Sequence, residues 1–440
     1  MDDHFSGLQG TTAAELADEL RTLIERGTLT PGVALPPVRA LADFLGMNRN
    51  TVVAAYRQLA GGGLVESRGR AGTRVTGTAR SAQEGFAPDS VLRDIGSGNP
   101  DPGRIPDPSH ALAHAVGRPI LYGEAVVDPD LERWAREWMG SDLQASDFAL
   151  TITSGAVDAV ERLLAQALVR DDAVALEDPC FLASIHTVRL GGYRAIAVPV
   201  DDEGMTVSGL RAALDAGVRA IVVTPRAQNP TGASLSPDRA AALRAVLADH
   251  PYVLIVEDDH FSMLSRTPYE SLIGPGHRRF ALVRSVSKFL GPDMCLAVTA
   301  SDPDTAARLG LRLSPGTTWV SHILQRLVVG LVTNPDVLAE IHAAAAHYAA
   351  RNSAFADAAV SAGLPVAASD GLNVWLPLPV PARAAAEQLM RRGWLARTGD
   401  EFRLVPDAPS HHLRLTVHEL DRDERAALIS DLVSAIAAAS

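Results

Sequence analysis

The stretch FALVRSVSKFL, residues 280–290, decides how this chain is interpreted. It begins as an apolar run that predicts a buried strand, and it ends just after Lys288. Lys288 is the single lysine among 40 basic residues, the other 39 being arginine. An arginine side chain stays protonated, whereas a lysine amine can lose its proton and form an imine with a carbonyl compound. A lysine that survives alone at the end of a strand is therefore a candidate for chemistry, although chance survival is the plain alternative.

The sequence around this stretch alternates between apolar runs and amphipathic segments. Because the runs are continuous in Val, Ile and Leu, they predict strands of a mainly parallel sheet that is buried on both faces. A smaller α/β part follows after about residue 330. The predicted strands are 148–153, 173–177, 194–200, 219–224, 252–257, 280–286 and 372–377, and the predicted helices include 155–170, 238–249 and 336–362.

Polar residues follow several of the predicted strands, at the sheet edge where ligands collect in α/β proteins. The carboxylate of Asp258 can keep a heterocyclic nitrogen protonated, and the amide of Asn229 can bind a ring oxygen. Hydroxyl and backbone N–H groups at Ser154–Ala156 and Ser285 can hold a phosphate. Together with the amine of Lys288, these groups meet the requirements of pyridoxal 5′-phosphate (PLP), which we predict as the cofactor. We predict no metal site.

The first 76 residues have a different pattern, which predicts a winged helix-turn-helix. Helices are expected over 12–26, from Val38 to Gly46 and over 48–60, followed by two short strands around a glycine-rich turn. Residues 1–47 carry three arginines against seven acids, a net charge of −4, whereas residues 48–76 carry five against one, a net charge of +4. A basic third helix and wing indicate contacts with DNA phosphates.

Composition sets the boundaries of these parts and excludes some classes of protein. The predicted domains are 1–76, a linker at 77–95 and 96–440, the last divided at about residue 330 into a large part from about residue 110 and a small subdomain. The chain has no apolar run of about 18 residues without charge, and its first residues, MDDHFSGLQG, do not read as a secretion signal. With two cysteines in 440 residues, we expect a cytoplasmic protein.

The order of the motifs resembles two known families. Residues 12–76 resemble the GntR winged-helix family through LPPVRALADFLGMNRNTVVAAYRQLAGGGLVESRGRAGTRV. Residues 96–440 resemble the fold-type I aminotransferases, and the two in this order resemble the MocR/GabR-type regulators. The aminotransferase-like motifs are GSGNPDP (96–102), TSGAVDAV (153–160), EDPCF (177–181), TPRAQNPTG (224–232), EDDH (257–260), SVSK (285–288) and LRL (413–415).

The resemblance implies a role for individual residues of the aminotransferase-like part. Lys288 would carry the imine with PLP, Asp258 would face the pyridine nitrogen, and Arg414 would bind an α-carboxylate. Tyr122 would reach the phosphate of a partner subunit, which implies a homodimer. The other residues implied around the cofactor are Asn229 at the ring hydroxyl, Phe181 stacked on the ring, and Ser154, Gly155, Ala156 and Ser285 around the phosphate.

The resemblance also implies DNA contacts in the N-terminal part. The residues concerned occupy the first turn of the second helix, the start of the recognition helix and the wing. They are Arg39, Asn48, Arg49, Asn50, Thr51, Arg68, Gly72 and Thr73.

Three positions depart from the family pattern. Cys295 stands where an arginine usually neutralises the phosphate, and losing that charge predicts cofactor binding weaker by about 10- to 100-fold. We expect Cys295 to be a small buried residue. His260 replaces the tyrosine that usually meets the ring hydroxyl, and we place it at the cofactor, with a neutral scaffold histidine as the alternative. Pro37 replaces the usual helix-capping Ser or Thr, which a first helical position tolerates.

These observations predict a PLP-dependent, DNA-binding transcriptional regulator. It would sense an amino compound, or PLP itself, through aldimine chemistry at Lys288, and it needs a conformational response rather than turnover. The alternative is an active PLP-dependent aminotransferase with a DNA-binding-like N-terminal extension. The expected partners are operator DNA, a small amino-compound effector and a second copy of the chain, with no membrane.

Overall fold

The computed structural model describes residues 3–5, 7–61, 64–67, 72–75, 85, 90–143, 147–314, 318–405 and 408–439. The chain divides into two compact units. One unit comprises residues 1–83 with 186–194, and the other comprises 84–185 with 195–440. The limits predicted above for the two domains and their linker stay predictions.

The N-terminal unit contains the predicted winged helix-turn-helix. Helix α1 begins with a capping box, because Thr12 accepts from the backbone of Glu15 while the Glu15 carboxylate accepts from the backbone of Thr12. Helix α2 ends at Gly46, whose φ of 65° is left-handed. The core is formed by apolar side chains such as Leu20 and Leu41. The elements are α1 (Ala13–Glu25), α2 (Val38–Leu45), α3 (Arg49–Gly61) and the antiparallel pair β1 (Val65–Ser67) and β2 (Thr73–Val75).

The second unit alternates strands and helices. The limits of the seven predicted strands are confirmed to within two residues, whereas six further strands among the described residues were not predicted, including Ala297–Ser301 in the main sheet. The strands are β3 (Arg93–Asp94), β4 (Ala149–Thr153), β5 (Ala173–Asp178), β6 (Arg194–Asp201), β7 (Gly204–Met205), β8 (Ala220–Val223), β9 (Leu254–Asp258), β10 (Phe280–Ser285), β11 (Ala297–Ser301), β12 (Asn373–Pro377), β13 (Trp394–Leu395), β14 (Arg397–Thr398) and β15 (His412–Thr416). The helices are α4 (Leu112–Ala115), α5 (Pro129–Gly140), α6 (Ala156–Ala167), α7 (Leu182–Leu190), α8 (Val207–Asp215), α9 (Pro237–Leu247), α10 (Ser287–Leu290), α11 (Pro303–Leu313), α12 (His322–Val332), α13 (Pro335–Ser361), α14 (Ala382–Met390) and α15 (Arg422–Ala439).

The main sheet has eight strands in the order β4-β11-β10-β9-β8-β5-β6-β7. Strands β5, β8, β9 and β10 run parallel to one another, whereas β11 is antiparallel to both of its neighbours. Every residue of β8, β9 and β10 is buried, as expected when helices cover both faces of a sheet. The carboxyl ends of β5, β8, β9 and β10 therefore meet at one edge. The predicted fold class, a mainly parallel α/β sheet after a winged helix-turn-helix, is confirmed.

A smaller antiparallel sheet, in the order β12-β15-β14, lies in the C-terminal part. Its strands are paired in a register that places Trp375 opposite Arg414 and Asn373 opposite Thr416. The other face of the sheet contributes Val374, Leu376, Leu413 and Leu415 to a separate apolar core, which also includes residues of α14 and α15. One face of this sheet is thus apolar, while the opposite face carries the polar side chains described below.

Within the described ranges, no single helix is both long and apolar enough to cross a membrane. The pair α12 and α13, which is bent by 77°, meets the length and composition test only when the two helices are joined. Both helices contribute to the main core, for example through Leu331 and Ile341.

Candidate functional site

Lys288 lies directly after β10, as the second residue of the short helix α10. Its Nζ donates a hydrogen bond to the carbonyl oxygen of Gly98, at 3.0 Å. The side chain lines a small pocket together with Asn229, His260 and Asn373. Strand β10 therefore delivers the amine to the sheet edge, among the other groups that the sequence placed there.

Asp258 is the last residue of β9, and only 8% of it is exposed. Burial, and then the neighbouring charge of Asp259, raise the pKa of its carboxyl to about 7, while the positive charge of Lys288 acts in the opposite direction. One carboxyl oxygen, Oδ1, is buried without a hydrogen-bond partner in the described part of the chain. Buried polar atoms of this kind call for a partner, and a protonated ring nitrogen would supply one.

Arg414 lies on β15 and is fully buried. One of its terminal nitrogens donates to Oδ1 of Asn229 at 3.2 Å, and the other donates to the carbonyl oxygen of Gly96. The guanidinium also packs on the ring of Phe402, 4.8 Å from the ring centre. The structure therefore joins Asn229 and Arg414, two residues that lie 185 positions apart, in one arrangement at the pocket.

The predicted phosphate-binding part of the site lies between the end of β4 and the start of α6. Gly155 has a φ of 93°, which allows the tight turn there, and the backbone N–H of Ser154 donates to Asp158 at 3.1 Å. The thiol of Cys295 donates to the carbonyl oxygen of Ser154 at 3.2 Å, so this residue does reach the predicted phosphate position. Ala156 is the first residue of the helix.

The expectation that Cys295 is buried is wrong, because its side chain is exposed. Burial of part of the thiol, and the charges of Asp158 and Asp293, raise its pKa, so that it is neutral at pH 7. The thiol therefore supplies no charge in place of the usual arginine. The prediction of weaker phosphate binding keeps its physical basis.

The remaining cofactor candidates differ in how closely they approach the pocket. Ser285 ends β10, and its hydroxyl donates to the hydroxyl of Ser287 at 3.0 Å. His260 follows β9 and lines the pocket. Phe181 is half-buried at the entry to α7 and is not among the residues that line this pocket. Tyr122 is 90% exposed and is not among the residues that line this pocket.

The residues present fit PLP at this edge of the sheet. The fit rests on the amine of Lys288, the buried carboxyl oxygen of Asp258 without a partner, and the amide of Asn229 held by Arg414. The positive φ of Gly155 adds backbone groups at a helix start, where phosphates bind. Asp258 would hold the ring nitrogen, Asn229 the ring oxygen, Lys288 the aldehyde carbon, and the groups around Gly155 the phosphate.

A buried ionic network lies behind the pocket, and the sequence analysis missed it. Arg226 and Arg284 both bind the carboxylate of Asp259, at N–O distances of 2.8 Å, and Arg284 also binds Asp142. These partners hold the pKa of Asp259 low although burial opposes this. The available signal was Arg284 itself, because a charged residue inside an otherwise apolar strand requires buried partners.

Asn373 lines the pocket and Thr416 binds Asn373, and the sequence indicated neither residue. The Thr416 hydroxyl accepts from the backbone N–H of Gly98 and donates to Oδ1 of Asn373, both at 2.9 Å. This orients the amide of Asn373, which lines the pocket beside Lys288. No local motif marks either residue, because the contact joins three distant parts of the chain.

Most of the predicted DNA-binding residues that the structure describes are exposed. Arg39, Arg49 and Asn50 are exposed, whereas Thr51 is half-buried. Asn48 begins the recognition helix α3, because its Oδ1 accepts from the backbone N–H of Asn50 at 2.8 Å. In the wing, Gly72 is exposed with a φ of 82°, Thr73 is half-buried in β2, and Arg68 lies outside the described residues.

The raised pKa of Asp258 predicts how stability depends on pH in the cofactor-free protein. Its folded pKa of about 7 exceeds the ordinary value of 3.8, so the folded state binds more protons between these values. The contribution of Asp258 to the free energy of unfolding is therefore fully present below about pH 4, and it is lost as the pH rises to 7. Between pH 5 and pH 7, the free energy of unfolding measured in urea should fall less in Asp258→Asn than in the unchanged protein, by on the order of 2 kcal/mol.

Glu257, whose pKa burial also raises to about 7, titrates in both proteins. The difference between their stability curves therefore isolates Asp258. Asp304→Asn, at an exposed carboxylate, is the matched control and should leave the pH dependence unchanged. Parallel stability curves for Asp258→Asn and the unchanged protein would refute the assignment.

Two family models match the chain. The model for "Aminotransferase class I and II" matches residues 94–432, and the model for "Bacterial regulatory proteins, gntR family" matches residues 12–75. The first of them covers more than half of the chain.

Relatives with known names cover most of the chain. It is 46% identical over 430 residues to the vitamin B6 salvage pathway transcriptional repressor PtsJ of Salmonella typhimurium, with 98% of this chain and 99% of that protein covered. It is 28% identical to the HTH-type pyridoxine biosynthesis transcriptional regulator PdxR of Corynebacterium glutamicum, with 68% of each covered.

Solved aminotransferase structures share the fold of the larger unit. A multiple substrate aminotransferase from Thermococcus profundus matches with a TM-score of 0.72 and 20% identity, over 82% of this chain and 97% of that one. The kynurenine aminotransferase of Pyrococcus horikoshii matches with a TM-score of 0.70 and 21% identity, over 80% and 92%. At these identities the likeness shows the fold alone.

Proposed function

The chain belongs to the MocR-type transcriptional regulators, and we propose that it binds operator DNA through its winged helix and senses a small amino compound, or PLP itself, at Lys288. The Salmonella relative is named as a repressor of vitamin B6 salvage, which supports the same function here. PLP is the cofactor of the larger unit. The regulator acts by changing its affinity for DNA when the state of the Lys288 pocket changes.

One observation carries this proposal more than any other. Asp258 holds a buried carboxyl oxygen without a hydrogen-bond partner, beside the single lysine of the chain. A protein whose larger unit served only as a scaffold would gain stability by replacing such a carboxylate with an apolar side chain. Retaining it is explained by a cofactor whose ring nitrogen binds there.

The residues of the chain have separate tasks at this site. When bound, PLP supplies an aldehyde and an electron-accepting ring. Lys288 would present its amine to that aldehyde, and the amine now donates to the carbonyl oxygen of Gly98 at 3.0 Å. Arg414 would provide the charge for an effector carboxylate, and its bond to Asn229 would orient the amide toward the ring oxygen. Asp258 would accept the proton of the ring nitrogen.

DNA binding is supported by the surface of the N-terminal unit. Arg39 and Arg49 are exposed near the start of α2 and α3, where a recognition helix contacts the major groove. Neither residue has an ion pair among those the structure describes. Their charges are therefore available to DNA phosphates or bases.

We predict that Arg49→Ala weakens operator binding by about 10-fold at moderate salt and lowers the slope of log K against log salt by about 1. The reason is the loss of one phosphate or base contact at the start of the recognition helix. The measurement is a gel shift titration of the PLP-bound protein on a fragment from its own upstream region, at several salt concentrations.

Arg133→Ala is the matched control for Arg49→Ala, because Arg133 is an exposed arginine of α5, in the other unit. It should bind the operator fragment as the unchanged protein does. Equal affinities for Arg49→Ala and the control would remove α3 from the interface. Absence of any site-specific shift, with and without PLP, would overturn the proposed function as a whole.

A homodimer in the cytoplasm completes the proposed function. The segment of the chain around Tyr122 has other exposed apolar side chains, Leu121 at 67% and Val116 at 82% exposure, and large exposed apolar groups of this kind mark association surfaces. A second copy of the chain would cover them and bring Tyr122 to the phosphate of its partner. The cytoplasm is where operator DNA is reached and where two cysteines remain reduced.

A further inference from the structure

A cavity of about 910 Å³ opens beside the Lys288 pocket. The two share Gly232 and Asp370 as lining residues, so they are neighbours across one wall. We call the larger cavity the side cleft, and Trp375 and His412 are among its lining residues. Their rings are stacked, with an interplanar angle of 7° and ring centres 5.0 Å apart. The side cleft thus contains a flat, paired aromatic surface.

The strand register connects this surface to the cofactor pocket. Asn373 and Trp375 alternate along β12 and therefore share one face of the small sheet, and Thr416, Arg414 and His412 share the same face on β15. At about 3.3 Å per residue, Trp375 lies roughly 7 Å along the strand from Asn373. One sheet face therefore carries an amide–hydroxyl pair, a guanidinium and an aromatic pair in sequence.

Trp375 and Arg414 both contact the ring of Phe402. Phe402 is fully buried and meets Trp375 edge to face, with ring centres 6.1 Å apart. On the same Phe402 ring lies the guanidinium of Arg414, at 4.8 Å. The positions of Trp375 and Arg414 are consequently fixed relative to each other by a shared neighbour.

The charged groups of the side cleft are mostly occupied by the protein itself. Asp201 forms two hydrogen bonds with Arg239, each of 2.9 Å, and Asp370 accepts from Ser265. Burial, and then the charge of His411, lower the pKa of His412, so that its ring is neutral at pH 7. The surface formed by Trp375 and His412 is therefore uncharged and planar, which favours a ring over an ionic group at this part of the cleft.

We propose that the side cleft binds a planar aromatic or heteroaromatic ring of the effector against the Trp375–His412 pair, while the effector carboxylate reaches Arg414. The inference rests on the proposed function, since it defines the chemical class of the effector of that site. The register agrees with this class, because Trp375 lies directly opposite Arg414, and His412 lies two residues from Arg414 along β15, roughly 7 Å away.

The test compares amino acids that differ in their side chains alone. L-phenylalanine, L-cyclohexylalanine and L-alanine are titrated against the PLP-bound protein by equilibrium dialysis, which does not depend on turnover. Cyclohexylalanine has nearly the volume of phenylalanine but no flat π face. We expect phenylalanine to bind about 3- to 10-fold more tightly than cyclohexylalanine, the range that a stacked aromatic contact supplies.

Two variants identify the surface responsible. Trp375→Leu should abolish the preference for phenylalanine over cyclohexylalanine, whereas Trp375→Phe, which keeps a flat ring, should retain it. In Trp375→Leu the affinity for L-alanine should fall less than that for L-phenylalanine, because L-alanine has no ring to bind against the Trp375–His412 pair.

Equal binding of the two ring compounds to the unchanged protein, no binding of any of them, or an equal loss for alanine and phenylalanine in Trp375→Leu would each overturn the proposal. These outcomes are separate from a failure of the proposed function, which shows instead as loss of the operator shift.

Discussion

Replacing Lys288 by alanine should reduce the pyridoxyl adduct, measured after borohydride reduction, from most of the protein to background. Lys288 is the single lysine, so no other side chain of the chain offers a primary amine to the aldehyde. Its Nζ also lies in the pocket with Asn229 and His260, the groups expected around the ring. The readout is mass spectrometry of the tryptic peptide that contains position 288, after incubation with saturating PLP.

Lys288→Arg is the matched variant for this experiment, because it keeps the positive charge beside Asp258 but cannot form an imine. It should lack the adduct as completely as the alanine variant does. Both variants should keep the circular dichroism spectrum and, without PLP, the operator affinity of the unchanged protein. The assignment of the site would be contradicted if Lys288→Ala still carried as much pyridoxyl adduct as the unchanged protein, at any residue.

The sequence allowed the fold and the centre of the site to be predicted for one physical reason. Parallel strands end at a common edge, so Asp258 after β9 and Lys288 after β10 must lie close together once both strands are recognised. The winged helix-turn-helix was equally accessible, because local signals mark it, such as the capping box at Thr12 and the left-handed Gly46.

What the sequence could not supply are contacts between distant segments. Gly98, Asn373 and Thr416 form a hydrogen-bonded chain that joins residues more than 300 positions apart, and nothing in the neighbourhood of any of them indicates the others. The exposure of Cys295 was missed for a similar reason. Cysteine is usually buried, and only the position of Ser154 next to it places the thiol at an open edge.

The second large effect is expected from Arg284→Leu, which should destabilise the larger unit by about 3–5 kcal/mol. Arg284 is fully buried, and it donates to Asp259 at 2.8 Å, to the carbonyl oxygen of Trp138 at 3.0 Å and to Asp142. Leucine leaves the carbonyl without its donor and leaves Asp259 with Arg226 as its remaining cation. The measurement is the urea midpoint of the cofactor-free protein, followed by fluorescence.

The matched control is Arg133→Leu, since Arg133 forms an exposed ion pair with Asp130 and should cost less than about 1 kcal/mol. If Arg284→Leu lost no more stability than this control, the buried network would contribute little to the free energy of unfolding. The double variant Arg284→Leu with Asp259→Asn should cost clearly less than the sum of the two single changes, because both remove the same buried attraction. That network also borders the cofactor site, because the charge of Asp259 raises the pKa of Asp258, while Arg284 and Arg226 hold the pKa of Asp259 itself low.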